Sequence, residues 1–319
     1  MLNLNTSNSI NKIQGIHCFS TMPFRSGREV FGNRVSEIRE FKLPDYSLWT
    51  MVLSALQCKK FCGNIRLYTD SLFYNYLKKL GIDFLWDEID CSLDEFEQQY
   101  EEINHAIFWS ACKFFCYSKE KTPFVCIDTD LVLTKPLSFY SDCDMLVAHY
   151  ESIEVGDTSY TELGQMKIKS EYKPYDRQKE TFGLNMAVCG MFNESFKREF
   201  VEEAVKVMQY TNAEYDGNYA MPELLYMEQV LPIKIARKQG YKIQPLMDCV
   251  WSPKQFRFIK DDPKYGGWIF NSLEQNSPCM HLWFHKNYIE KNKEAREEYM
   301  SQIFEFMKYN YPVEFNQIK

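Results

Sequence analysis

Pro123-Phe124-Val125-Cys126-Ile127-Asp128-Thr129-Asp130-Leu131-Val132-Leu133 is the stretch on which the reading of this chain turns. An apolar, β-favouring run carries two carboxylates at alternate positions and then resumes its apolar character. An unpaired carboxylate inside a buried strand is costly. Two on one side of a strand repel each other, so a positive group belongs beside them. A divalent cation gripping a substrate phosphate meets that need. Alone, an Asp-x-Asp string is common in surface turns. The strand before it and Leu131-Val132-Leu133 behind it predict burial near a sheet edge.

Upstream, Gly15-Ile16-His17-Cys18-Phe19-Ser20 reads as a first strand, running into a polar loop with Arg25, Gly27 and Arg28. Residues 44–61 show helical spacing, with Leu48, Met51, Val52, Ala55 and Leu56 on one face and Gly63 as the stop. Residues 65–70 form a strand, 71–80 a helix ended by Gly81, and 84–86 a third strand. A helix over 104–117 has Ile107, Phe108, Ala111, Phe114 and Phe115 as its core face. Strands alternating with helices predict an α/β fold, a parallel sheet wrapped by helices. Such sheets bind ligands at the carboxyl ends of their strands, where Asp128 and Asp130 fall.

Downstream, 144–149 reads as a strand and 151–179 as polar and irregular. An apolar strand over 182–192 contains Asn185. Helices are expected over 194–209, over 221–239 with an interruption at Pro232, and over about 291–309, the last amphipathic.

The composition is globular: 319 residues, 45% hydrophobic and 25% charged. A net charge of −7 argues against nonspecific nucleic-acid binding, which needs phosphate neutralisation. No apolar run reaches the ~20 residues that cross a bilayer. The first residues lack a basic start followed by an apolar stretch, so no secretory signal is expected. Eleven cysteines without a CxxC pair read as reduced thiols, and the expected location is cytoplasmic. The amphipathic last helix leaves peripheral attachment at the inner membrane surface open. No Gly-rich nucleotide fingerprint is present, against an NTPase or a dehydrogenase.

The helix before the strand, the Asp128-Thr129-Asp130 string and Lys135-Pro136-Leu137 together resemble the core of GT-A glycosyltransferases. The resemblance implies a mixed, mainly parallel sheet flanked by helices, in one GT-A-like catalytic domain over 1–319: a nucleotide-sugar half at 15–150, an acceptor half at 180–290 and a C-terminal helix at 291–319. It implies a nucleotide-sugar donor, a UDP-sugar foremost, a glycan or other hydroxyl acceptor, and Mn2+ or Mg2+ held by Asp128 and Asp130. Phe182-Gly183-Leu184-Asn185-Met186-Ala187-Val188 resembles the strand whose Asn contacts the sugar in glycogenin-like and galactosyltransferase-like relatives. Glu228-Gln229 resembles their acidic-Gln pair on the acceptor side. With Asn185, these are the candidate catalytic residues; retention of anomeric configuration is favoured, and inversion follows if Glu228 is a true base.

Met280-His281-Leu282-Trp283-Phe284-His285-Lys286 resembles the late motif that supplies a metal-ligating His and a diphosphate-binding Lys. His281 is the expected ligand and Lys286 the diphosphate partner. Phe284 replaces the Gly of the glycogenin-like HxxGxxK pattern and Lys286 comes one residue early, so His285 is an alternative for either role. The nucleotide is expected near His17, Phe19, Arg25, Arg28 and Asp70. Two alternatives stay open. One is a sugar-phosphate nucleotidyltransferase, and the other is a noncatalytic carbohydrate-binding protein on the same fold.

Overall fold

The computed structural model describes residues 13–26, 41–137, 142–153, 166–173, 175, 179–215, 217, 222–251, 277–282 and 285–318. Gly27, Arg28, Trp283, Phe284 and much of 151–179 lie outside the described residues. The first half runs β1 (Ile13–Phe19), α1 (Met22–Arg25), α2 (Asp45–Cys62), β2 (Gly63–Thr69), α3 (Ser71–Leu80), β3 (Glu88–Asp90), α4 (Leu93–Gln99), α5 (Ala111–Lys119) and β4 (Phe124–Ile127). After β5 (Leu131–Leu133) come β6 (Met145–Ser152), β7 (Phe182–Met191), α6 (Glu194–Tyr210), α7 (Pro222–Leu225), α8 (Leu231–Gln239), β8 (Ile243–Pro245) and β9 (Val250–Trp251). The last elements are β10 (Cys279–His281), α9 (His285–Lys291), α10 (Lys293–Asn310) and α11 (Pro312–Ile318).

β3, β2, β1 and β4 pair in parallel, in that order. β7 joins β4 antiparallel and β6 joins β7 antiparallel, so β6 again runs with the first four. β8 and β9 lie parallel to β6. The fold is therefore a mixed, mainly parallel α/β sheet flanked by helices; the element order predicts the α/β class and the parallel strands, and the antiparallel β7 makes the sheet mixed. β5 leaves this sheet and pairs with β10.

Side-chain alternation along the strands builds a core on each face. Val125 and Ile127 of β4 point to the face covered by α2, α3 and α10. Phe124 and Cys126 point to the other, covered by α4, α5, α6 and α8. Gly15 lets α2 lie directly on β1: a Cβ there would sit 2.6 Å from Cys58 Sγ and 3.1 Å from the Asn64 carbonyl oxygen. Gly63, at φ 101°, ends α2 and starts β2 without a linker. Asp70 caps α3, its carboxylate accepting from the Phe73 N–H at 2.9 Å.

Four expectations are corrected. The third strand is Glu88–Asp90, because residues 83–85 wind into a 3-10 turn that buries Leu85. The helix expected from 104 begins at Ala111; Asn104 instead closes a separate turn, its carbonyl accepting from the Ile107 and Phe108 N–H groups. β6 continues through Glu151 and Ser152, paired with Gly183 and Phe182. Residues 222–239 are interrupted earlier than Pro232, by a π-type turn over Tyr226–Val230. Pro232 has no N–H to offer the carbonyl four residues before it, and that carbonyl belongs to Glu228.

The C-terminal amphipathic helix is present as Lys293–Asn310. Its apolar face, with Tyr299, Ile303 and Met307, is buried in the same core as α2. Among the described residues no helix is long and apolar enough to cross a membrane. All eleven cysteines are free thiols.

Candidate metal and sugar site

The site grows from the end of β4. The Asp128 N–H donates to the Ala187 carbonyl at 2.8 Å, extending the β4–β7 ladder by one residue. The Leu131 N–H then donates to the Asp128 carbonyl at 2.9 Å, closing a turn around Thr129 and Asp130. This turn throws the chain out of the main sheet and into β5. There Cys279, Met280 and His281 lie opposite Leu133, Val132 and Leu131. The antiparallel register thus delivers a histidine from far along the sequence to the mouth of the turn.

Asp128, Asp130 and His281 each offer a ligand atom, and these atoms lie within 4.8 Å of one another. His281 Nε2 is 3.5 Å from Asp130 Oδ2, and Lys286 Nζ is 2.5 Å from the same oxygen. Burial alone would raise the Asp130 pKa; Lys286 and His281 outweigh it and hold the carboxyl well below its usual range. On the other side, Lys113 Nζ lies 2.6 Å from Asp128 Oδ1 and 3.1 Å from Glu228 Oε1. Burial pulls the Lys113 ammonium toward the neutral form, but Asp128 and Glu228 outweigh that and keep it charged.

Three carboxylates meet two lysine ammonium groups here, so the cluster can take further positive charge. Its donor set is two carboxylates and one imidazole. Carboxylates suit Mg2+ and Mn2+, and the imidazole tilts the choice toward Mn2+. The residues present therefore fit the expected metal.

Asn185 is buried on β7, two residues from Ala187 and on the same strand face. Its amide donates to Glu151 Oε1 at 2.8 Å, and its oxygen accepts from the Ala187 N–H at 3.2 Å. Glu228 is buried in the π-type turn, and Gln229 beside it is partly exposed. Lys113 and Glu151 escaped the sequence reading. The signal for Lys113 is that it interrupts the apolar run of α5 between Cys112 and Phe114. Glu151 falls at the start of the polar stretch 151–179, which hides its place on β6.

The candidate nucleotide residues are differently placed. His17 is fully buried: the Trp86 Nε1–H donates to its Nδ1 at 3.3 Å, and Ser54 Oγ lies 3.1 Å from its Nε2. Burial pushes its pKa down to about 3. Phe19 stacks on Phe73, ring centroids 4.1 Å apart, within a cluster that includes Phe24 and Phe41. Asp70 is buried and also accepts from the Thr21 N–H, tying the carboxyl ends of β1 and β2 together. Arg25 pairs with Glu97, and its Nε donates to Thr21 Oγ1 at 3.2 Å. His285 opens α9 and is buried, which lowers its pKa. The structure brings His281 and Lys286 to Asp130, and leaves His17, Phe19 and Asp70 in contacts inside the protein.

Residues 33–319 match one family model, the family of unknown function DUF6734, and the chain belongs to that family. No curated protein matches the chain. Among solved structures, the chain is similar to mouse xyloside xylosyltransferase 1, at 13% identity over 74% of this chain and 85% of that one, TM-score 0.38. It is similar to the galactosyltransferase LgtC in complex with donor and acceptor sugar analogs, at 9% identity over 84% and 86%, TM-score 0.38. It is also similar to the inositol-1-phosphate CTP transferase from T. maritima, at 8% identity over 76% and 86%, TM-score 0.32. At such identities and scores the likeness assigns no activity to this chain.

Proposed function

We propose that the chain is a metal-dependent glycosyltransferase with a GT-A-like catalytic domain. It moves a sugar from a nucleotide-diphosphate donor, a UDP-sugar foremost, to a hydroxyl of a glycan or similar acceptor. One observation carries this reading: Asp128, Asp130 and His281 converge at the carboxyl end of β4 with their ligand atoms within 4.8 Å. With a divalent cation added, this otherwise net-negative edge would suit a ligand rich in phosphate oxygens.

Asp128, Asp130 and His281 are the residues that would hold Mn2+ or Mg2+. When bound, the ion would offset charge on the donor diphosphate. Lys286, held 2.5 Å from Asp130, stands ready to neutralise the departing nucleoside diphosphate. Lys113 holds Asp128 and Glu228 in one arrangement. Asn185, Glu228 and Gln229 surround the transferred sugar and the acceptor, and the product keeps the donor's anomeric configuration. Arg25 and Arg28 follow β1 and are the candidates for the nucleotide end.

A thermal-shift panel of UDP-, GDP- and CMP-sugars with and without Mn2+ tests this. Saturation at about 100 times Kd stabilises the folded state by about 2.7 kcal/mol. The expected result is a shift with a UDP-sugar that needs Mn2+ and disappears in Asp130→Ala. A metal-dependent shift that survives unchanged in Asp130→Ala would overturn the assignment. Pyrophosphate release from an NTP and a sugar phosphate would replace it with a nucleotidyltransferase. Sugar binding without nucleotide-sugar hydrolysis would replace it with a binding protein.

A further inference from the structure

We propose that His17 and Ser54 are positioning residues for the Asp128-Thr129-Asp130 turn, and that their hydrogen-bond chain sets how Asp130 meets a divalent cation. This rests on the metal-site reading above.

The direction of the chain follows from its atoms. The Trp86 indole N–H can only donate, and it lies 3.3 Å from His17 Nδ1. Nδ1 therefore accepts, and the ring proton sits on Nε2. That N–H donates to Ser54 Oγ at 3.1 Å. The Ser54 hydroxyl in turn donates to the Leu131 carbonyl oxygen at 2.5 Å. Trp86, His17, Ser54 and Leu131 are thus joined in one sense, from the residue after the 3-10 turn to the residue after Asp130.

The β5–β10 register explains why that carbonyl is open to Ser54. The Leu282 N–H donates to the Asp130 carbonyl at 3.0 Å, and the Thr134 N–H to the Pro278 carbonyl at 3.0 Å. Opposed residues in an antiparallel ladder alternate between bonded and non-bonded pairs. Leu131 and His281 face each other at a non-bonded pair, so the Leu131 carbonyl points away from β10. Leu131 is then held at both polar ends: its N–H by the Asp128 carbonyl, its C=O by Ser54. Asp130 comes immediately before both anchors, inside the turn that the first of them closes.

Stability alone does not call for this chain. A buried hydrogen bond contributes about 1 kcal/mol net, and apolar replacements of matching shape can be neutral. What a satisfied buried network adds is a single geometry. A cation site needs that, because its ligand atoms must be held in place before the ion arrives.

The test titrates Mn2+ into the full chain, following the free-ion EPR signal, with melting temperatures recorded alongside. The proteins are wild type, Ser54→Ala, His17→Leu and His17→Gln. Loss of a bond made directly to a ligand weakens metal binding about 10–100-fold; Ser54 acts through the backbone of the residue next to Asp130, so the low end, about tenfold, is the loss to be read. That is the expected result for Ser54→Ala and His17→Leu. His17→Gln keeps a donor facing Ser54 and is expected to stay close to wild type. A lower melting temperature in Ser54→Ala with unchanged Mn2+ affinity would overturn the proposal, since the chain would then serve packing alone. Should His17→Leu fail to fold, Ser54→Ala decides, because it deletes a single oxygen. If the wild-type chain binds no Mn2+, the metal-site reading itself fails, before any substitution is compared.

Discussion

Lys113 Nζ lies 2.6 Å from Asp128 Oδ1, inside a helix otherwise devoted to apolar packing. The same ammonium reaches Glu228 at 3.1 Å. One lysine therefore connects α5 with the carboxylate turn and with the π-type turn after α7. Removing one partner of a buried ion pair is far costlier than replacing the pair, about 3–5 kcal/mol, because a charge is left uncompensated.

Lys113→Met keeps the bulk and removes the charge. It leaves Asp128 and Glu228 without their shared ammonium, and stability should fall by about 3 kcal/mol in urea denaturation without metal. A divalent cation at Asp128 replaces part of the missing charge. The increment in stability on adding MnCl2 should therefore be larger in Lys113→Met than in wild type. Equal increments would separate Asp128 from the metal.

Within the proposed ligand set, His281 is the one nitrogen donor. Imidazole binds Mn2+ more readily than the harder Mg2+, which prefers oxygen. His281→Ala should therefore weaken Mn2+ more than Mg2+, narrowing the preference between them in calorimetric titrations. An equal loss for both ions would place His281 outside the ligand set.

The alternation of strands and helices is legible where an element carries its own period and stop signal. Gly63 and Gly81 end helices where the spacing places the ends. Asp128 and Asp130 stood out because carboxylates are expensive in an apolar run. What was hidden depends on contacts between distant segments. Nothing local in Ala111-Cys112-Lys113-Phe114 says that its lysine meets Glu228. His17 looks like a strand-end binding residue until Trp86 and Ser54 close around it. The third strand was misplaced because Phe84-Leu85-Trp86 is apolar enough for a strand, yet it buries Leu85 from a 3-10 turn.

Acid should expose the buried histidines through stability. Burial pushes His17 to about 3 and His105 to about 4, against about 6.5 in an unfolded chain. Well above pH 6.5 both states are neutral and the groups contribute nothing to the pH dependence. Below it the unfolded chain takes up protons that the folded chain refuses, so stability falls with pH down to the folded values. Each group contributes at most about 1.4 kcal/mol per pH unit. Urea denaturation in EDTA between pH 6.5 and 4.5 should be less steep in pH for His17→Gln than for wild type. Parallel curves would mean that the ring is not held neutral.

The C-terminal helix Lys293–Asn310 is amphipathic, and its apolar face is already occupied. Tyr299 is fully buried, and its hydroxyl lies 2.6 Å from Thr50 Oγ1 on α2. Thr50 Oγ1 donates to the Tyr46 carbonyl at 2.6 Å, so the Tyr299 O–H is the donor of the pair. Membrane adsorption of a helix needs its apolar face free. The full chain should therefore stay in the supernatant when vesicles rich in phosphatidylserine are sedimented at physiological salt. Tyr299→Phe should cost about 1 kcal/mol by losing this bond, with the vesicle result unchanged. Cosedimentation of the wild-type chain would mean that this helix leaves α2 to reach the lipid.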